Sequence, residues 1–458
     1  MNAPATTTPN THRLGLWSAC AIVVANMVGT GVFSTLSYQV HALPDERAIL
    51  LLWLLGGISA LAGALCCAEL GAARPRSGGE YALLTQLFHP AVGFAAGWIS
   101  IVAGFAGPIA AAALAFAAYL SKLFPGAAHW PILTAALLVT GISGLHMLRV
   151  EIGARFQIVT TAIKILVMLG IVLAALILAP QTPTTNGDTL GLMASPAFAV
   201  SLVYVTYAYL GWNAALYVAG EVRNPQRTLP IALVASTALV TLLYIAVNWA
   251  FLRLVPFEQL VRINPGAMTV ENELAVGFLA GRALFGESGA TIVGGLIAFT
   301  LVSTVSAMVL AGPRVLTSIA EDWKPFARFA QRHSGGAPRA AIAFQWLLVM
   351  LLLATASFEF VVNFIGVSLT LFNMAVIAGF LRDRRLHPER PRPFRAPFGL
   401  TAGWIFLAIN GWMIVFLTLN SPRAVAVSAA AIALAFIAYW PLRRHAPRLP
   451  SQPEPRVP

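Results

Sequence analysis

Runs of residues almost free of charge, each long enough to cross a bilayer, follow one another along most of this chain, and nothing else in it constrains the fold so strongly. They lie near 15–42, 47–73, 91–120, 130–148, 155–179, 196–219, 229–255, 289–313, 338–358, 360–381, 402–419 and 424–442. A helix needs ~20 apolar residues to span the hydrocarbon core, and inside that core only helices or closed barrels can satisfy the backbone. The expectation is an all-α polytopic membrane protein with about 12 transmembrane helices occupying 15–442, a disordered polar tail over 1–14 and a second tail over 443–458. Mean hydropathy of +0.78, with only 10% of residues charged, leaves no room for a large soluble domain.

The net charge of +12 raises the question of a polyanionic partner. Placed on the spans, 22 of the 29 Lys and Arg residues fall on the side of the N terminus, six on the other side, and Lys164 lies within a span. This is the asymmetry that orients membrane proteins, so both termini are expected in the cytoplasm and no nucleic acid is implied. The three cysteines, Cys20, Cys66 and Cys67, all sit inside spans as small apolar side chains, and no metal or cofactor motif accompanies them.

Two spans are interrupted. The first carries 25-ANMVGTGVFS-34 near its middle, and the sixth reads 207-YAYLGWNAALYVAGE-221. Glycine pairs in membrane helices mark either close packing or a break. Here the interruptions stand five spans apart, at corresponding places in two five-span halves of opposite orientation. That is the pattern of a 5+5 inverted repeat, about 15–179 and 196–381, with the two helices over about 402–442 added outside it. Backbone that leaves the helix within a bilayer needs a wet or ligand-filled cavity. Half-helix N-termini attract a carboxylate and unwound carbonyls attract an ammonium, and an α-amino acid carries both groups.

The segments 29-GTGVF-33, 77-SGGEYALL-84, 108-PIAAAALAFAAYLSKLFP-125, 204-YVTYAYLGWN-213, 220-GEVRNPQRTLPIAL-233 and 312-GPRVLTSIAEDW-323 together resemble the amino acid–polyamine–organocation superfamily, most closely its L-type neutral amino acid transporter branch. The resemblance implies that the N–H groups of Thr30 and Gly31, in a motif begun by Gly29, hold the substrate carboxylate. It also implies that carbonyls of Met27, Tyr207 and Leu210 hold the ammonium beside Gly211 and Asn213, with Tyr207 closing over the substrate as a gate. A lysine at the position of Lys164 resembles, in that branch, a tethered replacement for a sodium ion, bridging the fifth span to the broken first one. Animal members that pair with a glycoprotein heavy chain use a cysteine after the third span. The corresponding loop, 121-SKLFPGAAH-129, has none, so no disulfide-linked heavy chain is expected.

Lys164 lies nine residues beyond Arg155, roughly 14 Å along the helix axis, too deep for its ammonium to reach the interface comfortably. No Asp or Glu lies deep in any span, and the pocket expected from 25–31, 103–108 and 207–213 has no acidic side chain. Ser303, Thr304 and Ser306 are read as interhelical hydrogen-bonding groups, His41 and His146 as interfacial. Glu221 and Arg223 are read either as solvated or as an inner gate with Arg74, Arg76 or Glu80. The expected function is secondary transport of neutral L-amino acids across the cytoplasmic membrane by alternating access, as sodium-independent exchange. Proton-coupled uptake of cationic amino acids or polyamines is the alternative. A membrane-embedded enzyme is the remote one, since no nucleophile–base pair or metal cluster is in view. A channel fits less well, because matching breaks in two inverted halves suit a site closed from each side in turn.

Overall fold

A computed structural model of the chain describes residues 14–148, 150–179, 188–262, 275–331, 336–355, 358–420 and 422–447. The expected terminal tails fall outside these residues, apart from Leu14 and 443–447. Nine helices among the described residues are long and apolar enough to cross a membrane. The broken first span, the broken sixth and the shorter ninth, Arg339–Thr355, bring the helical spans to twelve.

Local chemistry sets where many of these helices begin. Asp45 caps the second span, Glu46–Ala73, by accepting the Ala48 N–H at 2.7 Å. Ser195 caps the sixth, with Pro196 in its first turn, and Pro225 opens the seventh, Pro225–Leu254. The third span runs as helix Pro90–Ile99, a π-helical stretch Ser100–Ala106 and helix Gly107–Leu123. The eighth is longer than its apolar run. Helix Ala275–Asp322 bends at Phe285 and Gly286 and continues past Pro313 to Asp322.

The packing follows the expected inverted repeat. The second span packs on the seventh, the third on the eighth and the fourth on the ninth. The fifth span, Val150–Leu178, packs on the first, seventh and eighth, and the tenth, Phe358–Leu386, makes the equivalent contacts with the sixth, second and third. These mirrored neighbours are those a pseudo-two-fold axis in the membrane plane produces. The eleventh span, Gly399–Asn420, lies against the second, sixth and tenth, and the twelfth, Pro422–Leu442, against the third and tenth.

Candidate functional site

Helix stops at Met27 and restarts at Gly31 in the first span. In the sixth it stops at Tyr209, passes through Leu210 (φ −52°, ψ 144°), and resumes at Ala214 as a 3₁₀ helix to Glu221. The glycines serve both readings of such a motif. A Cβ on Gly31 would lie 2.7 Å from Cα and Cβ of Ala208, so the two broken spans touch there without a side chain between them. Gly211 holds φ of +100°, a region that L side chains avoid, and a Cβ on it would sit 2.8 Å from Asn26 Cβ.

A cavity of about 50 Å³ lies between the breaks. Met27, Gly29, Thr30, Gly31, Tyr207, Leu210, Gly211 and Asn213 all line it, so every residue expected at the substrate site is brought to one place. Across it the Thr30 and Tyr207 hydroxyls stand 3.3 Å apart. The Tyr244 hydroxyl lies 2.6 Å from the Met27 carbonyl and 2.9 Å from that of Ala208, joining the two spans beside the breaks. Of the carbonyls assigned to the ammonium, that of Met27 therefore already accepts from Tyr244, and that of Tyr207 accepts the Leu210 N–H at 3.1 Å.

Lys164 stands behind the first break, outside the cavity lining. Its side chain is fully buried, with Nζ 2.5 Å from the Val28 carbonyl, 3.4 Å from that of Ala25 and 2.8 Å from Thr304 Oγ1. Three acceptors match the three protons of an ammonium. Thr304 also donates to the Val28 carbonyl at 2.9 Å, while Ser303 meets Gln157 and Ser306 meets His146. These three residues thus make the interhelical bonds expected of them.

Three expectations need correction. The cavity wall does contain an acid, Glu80, which begins the short helix Glu80–Leu87. Its Oε1 accepts from Asn213 Nδ2 at 2.7 Å, and its Oε2 from the Tyr217 hydroxyl at 2.5 Å and Ser100 Oγ at 3.5 Å. His146 is buried rather than interfacial, because the eighth span presents Ser306 to its Nε2 at 2.9 Å. The gate pairings also differ. Glu221 pairs with buried Arg314 at 3.3 Å, Arg76 with Asp322 at 2.5 Å and Arg74 with Asp383 at 2.7 Å.

Backbone contacts tie the same segments together. The Leu14 N–H donates to the Glu221 carbonyl and the Arg223 N–H to that of Leu14, forming an isolated bridge between the start of the first span and the end of the sixth. The loop before Glu80 is bound in the same way, with the Gly78 N–H on the Tyr217 carbonyl and Ser318 Oγ on that of Ser77.

Sequence reasoning missed Glu80, Ser100, Tyr217 and Tyr244 as parts of this site. The signal available for the first was Gly78-Gly79, a turn dipeptide able to fold the loop back toward the membrane. Among the described residues no group of three His, Cys, Asp or Glu side chains could hold a metal ion.

Comparison with known proteins agrees with this architecture. The chain is 27% identical over 436 residues to the large neutral amino acids transporter small subunit 2 of Mus musculus, covering 91% of this chain and 78% of that protein. It is 27% identical over 402 residues to the human b(0,+)-type amino acid transporter 1, covering 85% and 80%. A bacterial relative, the serine/threonine exchanger SteT of Bacillus subtilis (strain 168), is 27% identical over 344 residues, covering 74% and 76%. Residues 14–440, nearly the whole length, match the amino acid permease family. A polytopic helical protein with two broken spans around one cavity, and with these relatives, is a transporter of amino acids and not an enzyme: the chain belongs to the amino acid permease family.

Proposed function

We propose that the chain exchanges small neutral L-amino acids across the cytoplasmic membrane by alternating access, without sodium. The observation that carries this reading is the size and position of the cavity. At about 50 Å³ between the two breaks, it is a small cavity, which suits a substrate with few side-chain atoms. The carboxylate would lie on the N–H groups of Thr30 and Gly31, where the helix restarts. The ammonium would face the carbonyls of Met27, Tyr207 and Leu210, a carbonyl already bonded once retaining a second lone pair. Leu210 in the wall argues against bulky side chains, and the names of the mouse neutral amino acid transporter and the bacterial serine/threonine exchanger support the class. Lys164 supplies a fixed positive charge where a coupling cation would otherwise be needed, and Tyr207 is the gate.

The 22 to 6 distribution of basic residues supports placing both termini in the cytoplasm. The cysteines of the chain lie within spans, which supports action without a disulfide-linked heavy chain.

One observation favours a second reading, uptake of cationic amino acids or polyamines. Glu80 puts a carboxyl in the cavity wall, although Asn213, Tyr217 and Ser100 already donate to both of its oxygens. Counterflow with the single purified chain in proteoliposomes separates the two. Alanine, serine and threonine should compete better than phenylalanine or arginine, in sodium and in choline buffer alike, and Leu210→Gly should shift preference toward larger substrates. Preference for arginine in the wild type would favour the second reading, and preference for tryptophan would refute the size argument.

A further inference from the structure

At the end of the bilayer that carries the N terminus, between the tenth and eleventh spans, lies a cavity of about 770 Å³ that shares no lining residue with the one between the breaks and falls within the range of small-molecule pockets. Five arginines line it, Arg382, Arg384, Arg385, Arg392 and Arg395, and no carboxylate does. Two of them are held in place by an acid behind the wall. Arg384 meets both oxygens of Glu69, at 2.9 and 2.5 Å, and Arg392 meets the same carboxylate at 3.0 Å. Arg382 donates to the Leu87 carbonyl at 3.1 Å. Arg385 and Arg395 are exposed and have no ion-pair partner among the described residues. Over 382–395 the chain carries six arginines against Asp383 and Glu389, so the excess charge belongs to the segment as a whole.

The rest of the wall is apolar and faces outward. Leu386, Leu400 and Trp404, at the facing ends of the two spans, are 55%, 51% and 65% exposed. A soluble anion would satisfy the guanidinium groups and leave these side chains unmatched. A molecule with an anionic phosphate joined to hydrocarbon satisfies both. We propose that this cavity binds the phosphodiester head group of an anionic phospholipid. Arg385 and Arg395 take the phosphate oxygens, for which planar guanidinium groups are suited, and the acyl chains lie against Leu386, Leu400 and Trp404. Basic pockets between helices at one membrane face bind such head groups. The site depends on the membrane fold alone and is independent of the transported substrate.

The test uses the full chain in neutral detergent, titrated with phosphatidylglycerol, phosphatidylcholine or inorganic tripolyphosphate, with native mass spectrometry and the thermal unfolding midpoint as readouts. Phosphatidylglycerol should stay bound and raise the midpoint, with the other two ineffective. Arg385→Ser combined with Arg395→Ser should weaken phosphatidylglycerol binding on the order of thirtyfold, at about fivefold for each basic residue removed near an anionic lipid. The variant Lys324→Ser with Arg444→Ser, which loses the same charge elsewhere, should bind as the wild type does. Equal retention of phosphatidylcholine, tripolyphosphate binding as tight as that of the lipid, or wild-type binding by the Arg385 and Arg395 variant would each overturn the proposal. The three wild-type titrations decide it even where a variant fails to fold.

Discussion

Replacing Lys164 by alanine tests the coupling role most directly. The wild-type ammonium makes three hydrogen bonds, to the carbonyls of Ala25 and Val28 and to Thr304 Oγ1. In Lys164→Ala the Val28 carbonyl keeps Thr304 as donor, while the Ala25 carbonyl loses its bond from Lys164. Interhelical hydrogen bonds inside membranes average ~0.6 kcal/mol and reach ~1.7, so the three together contribute about 2–5 kcal/mol to holding the broken first span on the fifth and eighth. At about 1.4 kcal/mol per factor of ten, even the lower figure shifts the balance between transporter conformations by about thirtyfold. We therefore expect exchange of labelled serine in proteoliposomes to fall at least about tenfold in Lys164→Ala, and to be equal in sodium and choline buffers for the wild type. Thr304→Val should give a smaller loss, and the two substitutions together less than the sum of their separate effects, because they remove one network. Monodisperse protein with a retained thermal transition establishes that the variant is folded. Wild-type turnover in folded Lys164→Ala, or a strict sodium requirement in the wild type, would refute the reasoning.

Three further outcomes are expected. Cysteines introduced at Arg385 and Arg423 should label from opposite sides of the membrane, and labelling from one side would break the span assignment that places both termini in the cytoplasm. Arg314→Ala should destabilise the protein by up to about 3–5 kcal/mol, because it removes a charged partner from the buried carboxylate of Glu221, whereas replacing both residues by leucine should recover most of that loss in a thermal unfolding assay. Gly31→Ala should cost about 1–3 kcal/mol by forcing a methyl onto Ala208, and Ala208→Gly in the same chain should restore part of the stability; no rescue would place the role of Gly31 elsewhere.

The spans, the breaks and Lys164 were legible in the sequence because each violates or obeys a rule that acts along the chain. Apolar runs of membrane length have few folds open to them, and Gly29, Gly31 and Gly211 disrupt such runs where disruption is costly. Glu80 was not legible in the same way. It lies in a polar connection between two spans, and only the folding back of 77–79 against Tyr217 and Ser318 brings it to the cavity. Arg314 was missed as a partner of Glu221 because it is at the end of an apolar run. The eighth helix continues through it to Asp322, so a residue expected in a loop becomes a buried helical one. His146 shows the same limit, since its partner Ser306 is set by the packing of the fourth span on the eighth.

The carbonyls at the first break bear on which part of a substrate the site would grip. A helix that ends in the membrane leaves its last carbonyls unpaired and its negative end exposed. Here the Val24 carbonyl accepts the Val28 N–H, those of Ala25 and Val28 accept from Lys164, and that of Met27 accepts from Tyr244. The negative end is thus largely compensated by the protein itself, by a cation and a hydroxyl, before any substrate arrives. The positive end, where helix restarts at Gly31, has no acidic side chain in its first turn to compensate it. On this distribution of charge we propose the carboxylate as the stronger anchor and the ammonium as the weaker, a reading that favours amino acids over polyamines even with Glu80 in the wall. An amine that matches a substrate but lacks the carboxylate should therefore compete poorly in counterflow, and more poorly than an N-methylated amino acid that retains it. The reverse order would show that Glu80 and the remaining carbonyls, rather than the restart of the first helix, hold the transported molecule.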